Sequence, residues 1–235
     1  MSGALDGRVA LVTGAGKGLG RAIAVAFADA GADVVGFDID AASLAVTEAR
    51  VRDTGRRALA VAGDVTSATQ CVDVVARSRA AFGKLDILVN CAATFLPDAT
   101  VVDIDEHAWR GTIDVGVHGA FLMSKYAIAE MLRGRGGAVV NVASVLAHVG
   151  KKGRAWYCAQ KGALVAMSKA MALDHARQNV RVNSLSPGPV ATEQFIVKYG
   201  GRERAEAARG ADTAFERLGA ADEVAAAAVF LASDR

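Results

Sequence analysis

Proline is scarce, at three in 235 residues, so the chain has little material for linkers or interrupted helices. Cysteine is equally sparse. Cys71, Cys91 and Cys158 are odd in number, far apart and without Cys-x-x-Cys spacing, which argues against both a disulfide framework and a cysteine-based zinc site. His107, His118 and His175 show no partnered spacing either, so no metal is expected. Neither sign of charge dominates: 27 basic residues face 25 acidic ones, interspersed, with a net charge of +2. Phosphate backbones need basic residues gathered on one face, so no nucleic-acid partner is expected. Long apolar runs are missing as well. No stretch approaches the roughly 18 residues that a membrane span requires, and the opening MSGALDGRVALVTG has no basic segment leading an apolar run. These absences read together as a cytoplasmic chain with no membrane partner.

What is present is apolar material, 52% of the residues, enough for one large core. Short β-branched runs alternate with helical patterns. The run at 8–13 reads as a buried strand, and the following residues keep apolar side chains at helical spacing until Gly31. The unit repeats through ADVVGFD, RALAVAGDV and LDILVNCA. A long helix at 106–133 then leads to GAVVNVAS, a helix through Tyr157 and Lys161, and VRVNSLSPG. Six strands that are apolar almost throughout predict a parallel sheet covered on both faces: an α/β, doubly wound, Rossmann-type arrangement in a single domain spanning 1–235. Its ligand crevice is expected at the carboxyl ends of the strands. The least regular segment, 193–217, is either a substrate lid or a surface excursion.

Directly after the first strand stand Gly14, Gly18 and Gly20, spaced G-x-x-x-G-x-G. Between a buried strand and a helix, such a loop permits a tight turn and close approach of backbone N–H groups to a pyrophosphate. Asp38, eighteen residues past Gly20 at the end of the second strand, is placed to accept from an adenosine ribose diol. Asp64, after the third strand, either accepts from an adenine amino group or caps the helix starting near Ser67. Asn90 ends the fourth strand and is placed to pin neighbouring backbone groups.

Tyr157 and Lys161 are four apart in a helical pattern and so share a face. An ammonium near a phenol favours the phenolate, which suits a general acid/base for alcohol–ketone chemistry. Ser144, thirteen residues earlier, ends the fifth strand where its hydroxyl can meet a substrate oxygen. His148, four past Ser144, borders the crevice. Cys158 reads as a packing residue, and Trp156 as packing or a subunit contact.

Thr13-Gly14-x-x-x-Gly18-x-Gly20, Asp64, Asn90-x-Ala92, Ser144, Tyr157-x-x-x-Lys161 and Asn183-x-x-x-Pro187-Gly188 occur in order, and jointly they resemble the short-chain dehydrogenase/reductase family, classical type, over nearly the whole chain. The resemblance implies an oxidoreductase moving a hydride between a nicotinamide cofactor and a secondary alcohol or ketone. It implies that Tyr157 exchanges a proton with the substrate oxygen and that Ser144 polarises that oxygen. Lys161 is implied to hold the nicotinamide ribose while lowering the tyrosine pKa. The implied cofactor contacts are Gly14, Lys17, Gly18, Leu19 and Gly20 in the loop, Asp38 with Ile39, Asp64 with Val65, and Asn90 with Ala92. Tyr157, Lys161, Pro187, Gly188, Val190 and Thr192 complete the set, Pro187, Gly188 and Thr192 lining the nicotinamide end.

Asp38 repels a 2′-phosphate and Ile39 stands where relatives often place an arginine, so NAD is expected over NADP, although Lys17 pulls the other way. The loops 94–97, 146–155 and 193–215, with Phe95, Leu96, Trp156 and Phe195, favour a cyclic or partly apolar alcohol over a phosphorylated sugar. A homotetramer is expected, because the apolar residues of the helices at 106–133 and 154–178 spread too widely for one sheet-facing stripe.

The sequence departs from the family pattern in three places. Asn90-Cys91-Ala92-Ala93 replaces Asn-Asn-Ala-Gly, and the chain ends at 232–235 where relatives continue into a seventh strand. At Asp114-Val115-Gly116, glycine stands where relatives carry an asparagine that holds a proton-relay water. The expectation here is a void beside Gly116 that takes an extra water. The alternative, prompted by the same glycine, is a nucleotide-binding scaffold that kept the fold and lost turnover.

Overall fold

The computed structural model describes residues 3–210 and 213–234. The β-branched runs become six strands: β1 (Val9–Thr13), β2 (Asp33–Asp38), β3 (Ala58–Ala62), β4 (Ile87–Asn90), β5 (Gly137–Val142) and β6 (Val180–Leu185). All neighbours pair in parallel, in the order β3-β2-β1-β4-β5-β6. β1 shows why a central strand is apolar at every position. Its Ala10 and Val12 enter one core, with Ile23, Phe27 and Ala228, while Val9 and Leu11 enter the other, with Val74, Met123 and Met131. Side chains two apart share a face, so a sheet covered on both sides needs apolar residues at every position.

The first core lies under α1 (Gly18–Asp29), α2 (Ala41–Asp53) and the late helix α9 (Ala221–Ala232). The second lies under α3 (Ala68–Phe82) and α5 (Gly119–Met131). Local chemistry starts several of these helices. Asp40 caps α2 by accepting from Ser43 N at 3.0 Å, and Asp105 caps α4 (Glu106–Ile113) by accepting from Ala108 N at 2.8 Å.

Two elements differ from the sequence reading. The helix expected at 106–133 is α4, a π-helical turn at Asp114–His118, and α5 in succession. Segment 193–217 is more regular than expected, holding α7 (Glu193–Lys198) and α8 (Arg202–Arg209); its residues 211 and 212 lie outside the described residues. The remaining long helix, α6 (Ala155–His175), carries Tyr157 and Lys161. The chain runs outward from β1 to β3, then returns to place β4 beside β1. That reversal opens a crevice at their carboxyl ends.

Candidate active site

β1 ends on Thr13, whose Oγ1 accepts from Cys91 N at 3.0 Å and Ala92 N at 3.1 Å, joining the ends of β1 and β4. Gly14 follows with φ of +65°, and a Cβ there would lie 2.8 Å from the Ala92 Cα. At Gly20 a Cβ would lie 2.0 Å from the Gly14 carbonyl oxygen. The loop thus packs backbone against backbone, and neither glycine tolerates a side chain. α1 then starts with no side-chain cap and no acidic residue in its first turn, leaving its N–H groups available to an anion. Thr192 reaches this loop from the far end of the sequence. Its side chain lies 3.7 Å from where a Gly18 Cβ would stand.

Asp38 joins the same loop. Its carboxylate accepts from Gly16 N at 2.8 Å and from Asp40 N at 2.9 Å, so two backbone groups fix it at the crevice mouth. Ile39 is 75% exposed. Lys17 Nζ stands 4.0 Å from the Asp40 carboxylate. Asp64 closes a local turn by accepting from Thr66 N at 2.8 Å, while Ser67 caps α3. Val65 is buried against Gly119, and Val190 bridges to Gly219. The Pro187 carbonyl accepts from Val145 N at 2.9 Å, which places the segment holding Pro187 and Gly188 beside the end of β5.

Asn90 turns away from the crevice mouth. Its Nδ2 donates to Asn141 Oδ1 at 2.8 Å and Ser124 Oγ at 3.0 Å, and Asn141 Nδ2 donates to Ser168 Oγ at 2.8 Å. This buried chain ties β4, β5, α5 and α6 together. Asn90 Nδ2 also reaches the Ala120 carbonyl at 3.5 Å, while Thr13 holds the backbone N–H groups that follow β4. Asn141 stands opposite Asn90 in the sheet register, a pairing that a lone polar residue in each apolar strand could have signalled.

Ser144 follows β5 and meets Tyr157 at the start of α6. The half-buried phenol lies between Phe95, 5.8 Å away by ring centroid, and Trp156, 5.2 Å away and edge-on. Burial pushes the Tyr157 pKa up, while hydrogen bonding with Ser144 and the Arg154 guanidinium pull it back down. Lys161 is only 3% exposed, and its Nζ donates to the Val142 carbonyl at 2.7 Å. Burial pushes its pKa down to about 8. The ammonium sits 5.8 Å from the Tyr157 ring centroid. The Arg154 guanidinium, which the helical spacing does not point to, is a second cation whose charge draws on the phenol. Arg154 is itself buried and pairs with Asp98 at 2.5 Å. A basic residue three before the tyrosine carries no sequence signal for this role.

The other candidates separate clearly. His148 Nε2 lies 3.1 Å from Ser186 Oγ, on the rim. Trp156 is fully buried and packs within the chain. The Cys91 thiol is held protonated by burial, its pKa pushed up to about 11. Gly116 leaves no void. The Gln160 side chain occupies the place, with its Cδ and Nε2 each 2.3 Å from where a Gly116 Cβ would stand. The adjoining space is packed too closely to hold a water. No group of residues suited to a metal occurs among the described residues, and no helix among them is long and apolar enough to cross a membrane.

The family profile described as Enoyl-(Acyl carrier protein) reductase matches residues 14–235. The chain belongs to the short-chain dehydrogenase/reductase family. It is 37% identical over 234 residues to cis-4-hydroxycyclohexanecarboxylate dehydrogenase of Sinomonas cyclohexanicum, covering 100% of this chain and 92% of that one. It is 38% identical to D-threitol dehydrogenase of Mycolicibacterium smegmatis, covering 98% and 87%. Carveol dehydrogenase from Mycobacterium avium, solved in complex with NAD, superimposes with a TM-score of 0.93 at 26% identity, covering 99% of this chain and 93% of that one. The protein is an oxidoreductase of the alcohol–ketone couple that uses a nicotinamide cofactor. The loop geometry suits that cofactor: a turn packed backbone against backbone at Gly14 and Gly20, an uncapped helix start, and a carboxylate fixed by two backbone N–H groups. None of these relatives supports the scaffold alternative.

Proposed function

We propose that this protein oxidises a secondary alcohol, or reduces the matching ketone, with Tyr157 handling the substrate proton in a single domain that also binds the cofactor. The observation carrying this reading is the Tyr157 phenol at the crevice, hydrogen-bonding with Ser144 and one helical turn from a buried lysine. The nicotinamide cofactor supplies or takes the hydride. Ser144 holds the substrate oxygen, and Tyr157 takes the hydroxyl proton on oxidation or returns it on reduction. Lys161, fixed on the Val142 carbonyl, presents its remaining N–H groups to the nicotinamide ribose. Gly14, Gly18, Leu19 and Gly20 hold the pyrophosphate, and Asp64, Val65 and Ala92 flank the adenine side. Pro187, Gly188, Val190 and Thr192 close the nicotinamide end.

The preferred cofactor is NAD. Asp38 is held where a ribose diol would meet it, and a 2′-phosphate there meets like charge. Lys17, which would favour that phosphate, faces the Asp40 carboxylate instead. Asp38→Ser is expected to shift the ratio of kcat/KM values toward NADP by about tenfold to a hundredfold, the worth of a charged hydrogen bond. A parent that prefers NADP, or a variant with an unmoved ratio, overturns this assignment.

The substrate is a cyclic or partly apolar alcohol. Phe95 beside Tyr157 and Phe195 tilted against Tyr199 support this, as do the ring alcohols named for two relatives. Segment 193–217 serves as its lid. A panel of cyclic alcohols, polyols, hydroxy acids and phosphorylated sugars, read by absorbance of reduced cofactor, tests this. Higher kcat/KM for phosphorylated sugars contradicts it.

The subunits form a cytoplasmic homotetramer. Phe121 on α5 and Leu173 on α6 stay exposed, the apolar excess expected of helices with a second face to bury. Light scattering at micromolar concentration should return about four chain masses; a monomer mass rules this out.

A further inference from the structure

Gly116 and Gln160 form one feature. Gln160 lies on α6 between Tyr157 and Lys161, is fully buried, and sends its amide across to the α4–α5 junction. There Nε2 donates to the Thr112 carbonyl at 2.7 Å, two residues before the π-helical turn. That turn interrupts the regular ladder of an otherwise continuous helix, and such turns need outside partners for their backbone groups. The amide reaches Thr112 only by crossing the backbone of Gly116. With Cδ and Nε2 both 2.3 Å from a hypothetical Cβ, no larger residue fits at 116 while Gln160 holds this position. The second amide atom, Oε1, is buried and has no protein partner among the described residues. A buried glutamine half unsatisfied is costly, so its retention needs a return beyond packing.

The return lies in what flanks it. α6 is held at three polar points: Gln160 on the Thr112 carbonyl, Lys161 on the Val142 carbonyl, and Ser168 under the Asn141 amide. The first two are consecutive residues reaching to different elements, so together they fix both the rotation of α6 and its distance from β5. Tyr157 sits one turn earlier, its hydroxyl hydrogen-bonding with Ser144. Small displacements of a catalytic group are expensive in rate.

We propose that Gln160 is a positioning residue for Tyr157 and Lys161, supplying from α6 the buried amide that the family pattern places at position 116. The glycine is then the complement that makes room for it, not a loss of function. This rests on the proton-transfer role of Tyr157 given above.

A double-mutant cycle at 116 and 160 tests it, read by kcat, by KM for the cofactor and by thermal melting. Gln160→Ala is expected to lower kcat by about tenfold to a hundredfold, with cofactor KM within about twofold of the parent. Gly116→Asn alone is expected to be harmful, because its side chain collides with Gln160. In the Gln160→Ala background the same change is expected to restore kcat, so its effect changes sign. Additive effects on kcat, or a melting coupling without any on kcat, overturn the proposal and leave Gln160 a packing residue. Gln160→Met, which keeps the volume without the amide, separates packing from positioning: parent kcat in this variant also overturns it. A parent inactive on every alcohol and ketone is a different failure. It removes the proton-transfer reading and, with it, any positioning role.

Discussion

Tyr157→Phe is expected to lose about 10²- to 10⁴-fold in kcat, the range that a general acid/base supplies, while still binding the nicotinamide cofactor. The phenyl ring keeps its packing between Phe95 and Trp156, so the fold survives and only the hydroxyl is lost. Cofactor titration alongside steady-state rates separates the two effects. Activity within a few-fold of the parent removes Tyr157 from the proton path. The same phenol predicts opposite pH dependences for the two directions. Burial holds the proton on Tyr157 above its ordinary range, against the pull of Ser144 and Arg154. Ketone reduction uses the protonated phenol and falls as pH rises; alcohol oxidation uses the phenolate and rises.

Lys161→Ala is expected to damage both steps it serves, lowering kcat on the order of a hundredfold and weakening cofactor binding about tenfold or more. It should also leave a signature in stability. The folded pKa of Lys161 is about 8 against an ordinary 10.5, so between those values the unfolded chain binds a proton that the folded chain does not. The penalty for burying the ammonium is therefore full below about pH 8 and is relieved as pH rises through that window. Relative to Lys161→Ala, the parent should gain about 3 kcal/mol between pH 8 and 10.5. Denaturant midpoints that move in parallel for both proteins across that window contradict a buried, pKa-shifted lysine.

The sheet was legible because burial on two faces leaves no room for polar residues, so strands such as β1 stand out as unbroken apolar runs. The glycine loop was legible for a similar reason, since backbone contact demands glycine at fixed spacing after a strand. Other features depend on residues distant in sequence. The π-helical turn gives no periodic signal, and its partner Gln160 lies 48 residues from Thr112. Gly116 alone suggested a hole, and only packing reveals that a longer side chain from another helix fills it. Arg154 likewise reaches Tyr157 through space, and Lys161, on the face it shares with the phenol, also donates to a strand carbonyl. Spacing of four along a helix fixes a shared face but not the direction of a flexible four-carbon chain.

The most direct test is the formation of reduced nicotinamide when NAD and a series of cyclic secondary alcohols meet the parent enzyme, followed from about pH 6 to about pH 10. Turnover should occur and kcat/KM should rise with pH, with Tyr157→Phe flat and near background throughout. A parent that binds NAD yet oxidises none of the alcohols, or one whose rate ignores pH and survives loss of the phenol, contradicts proton transfer at Tyr157.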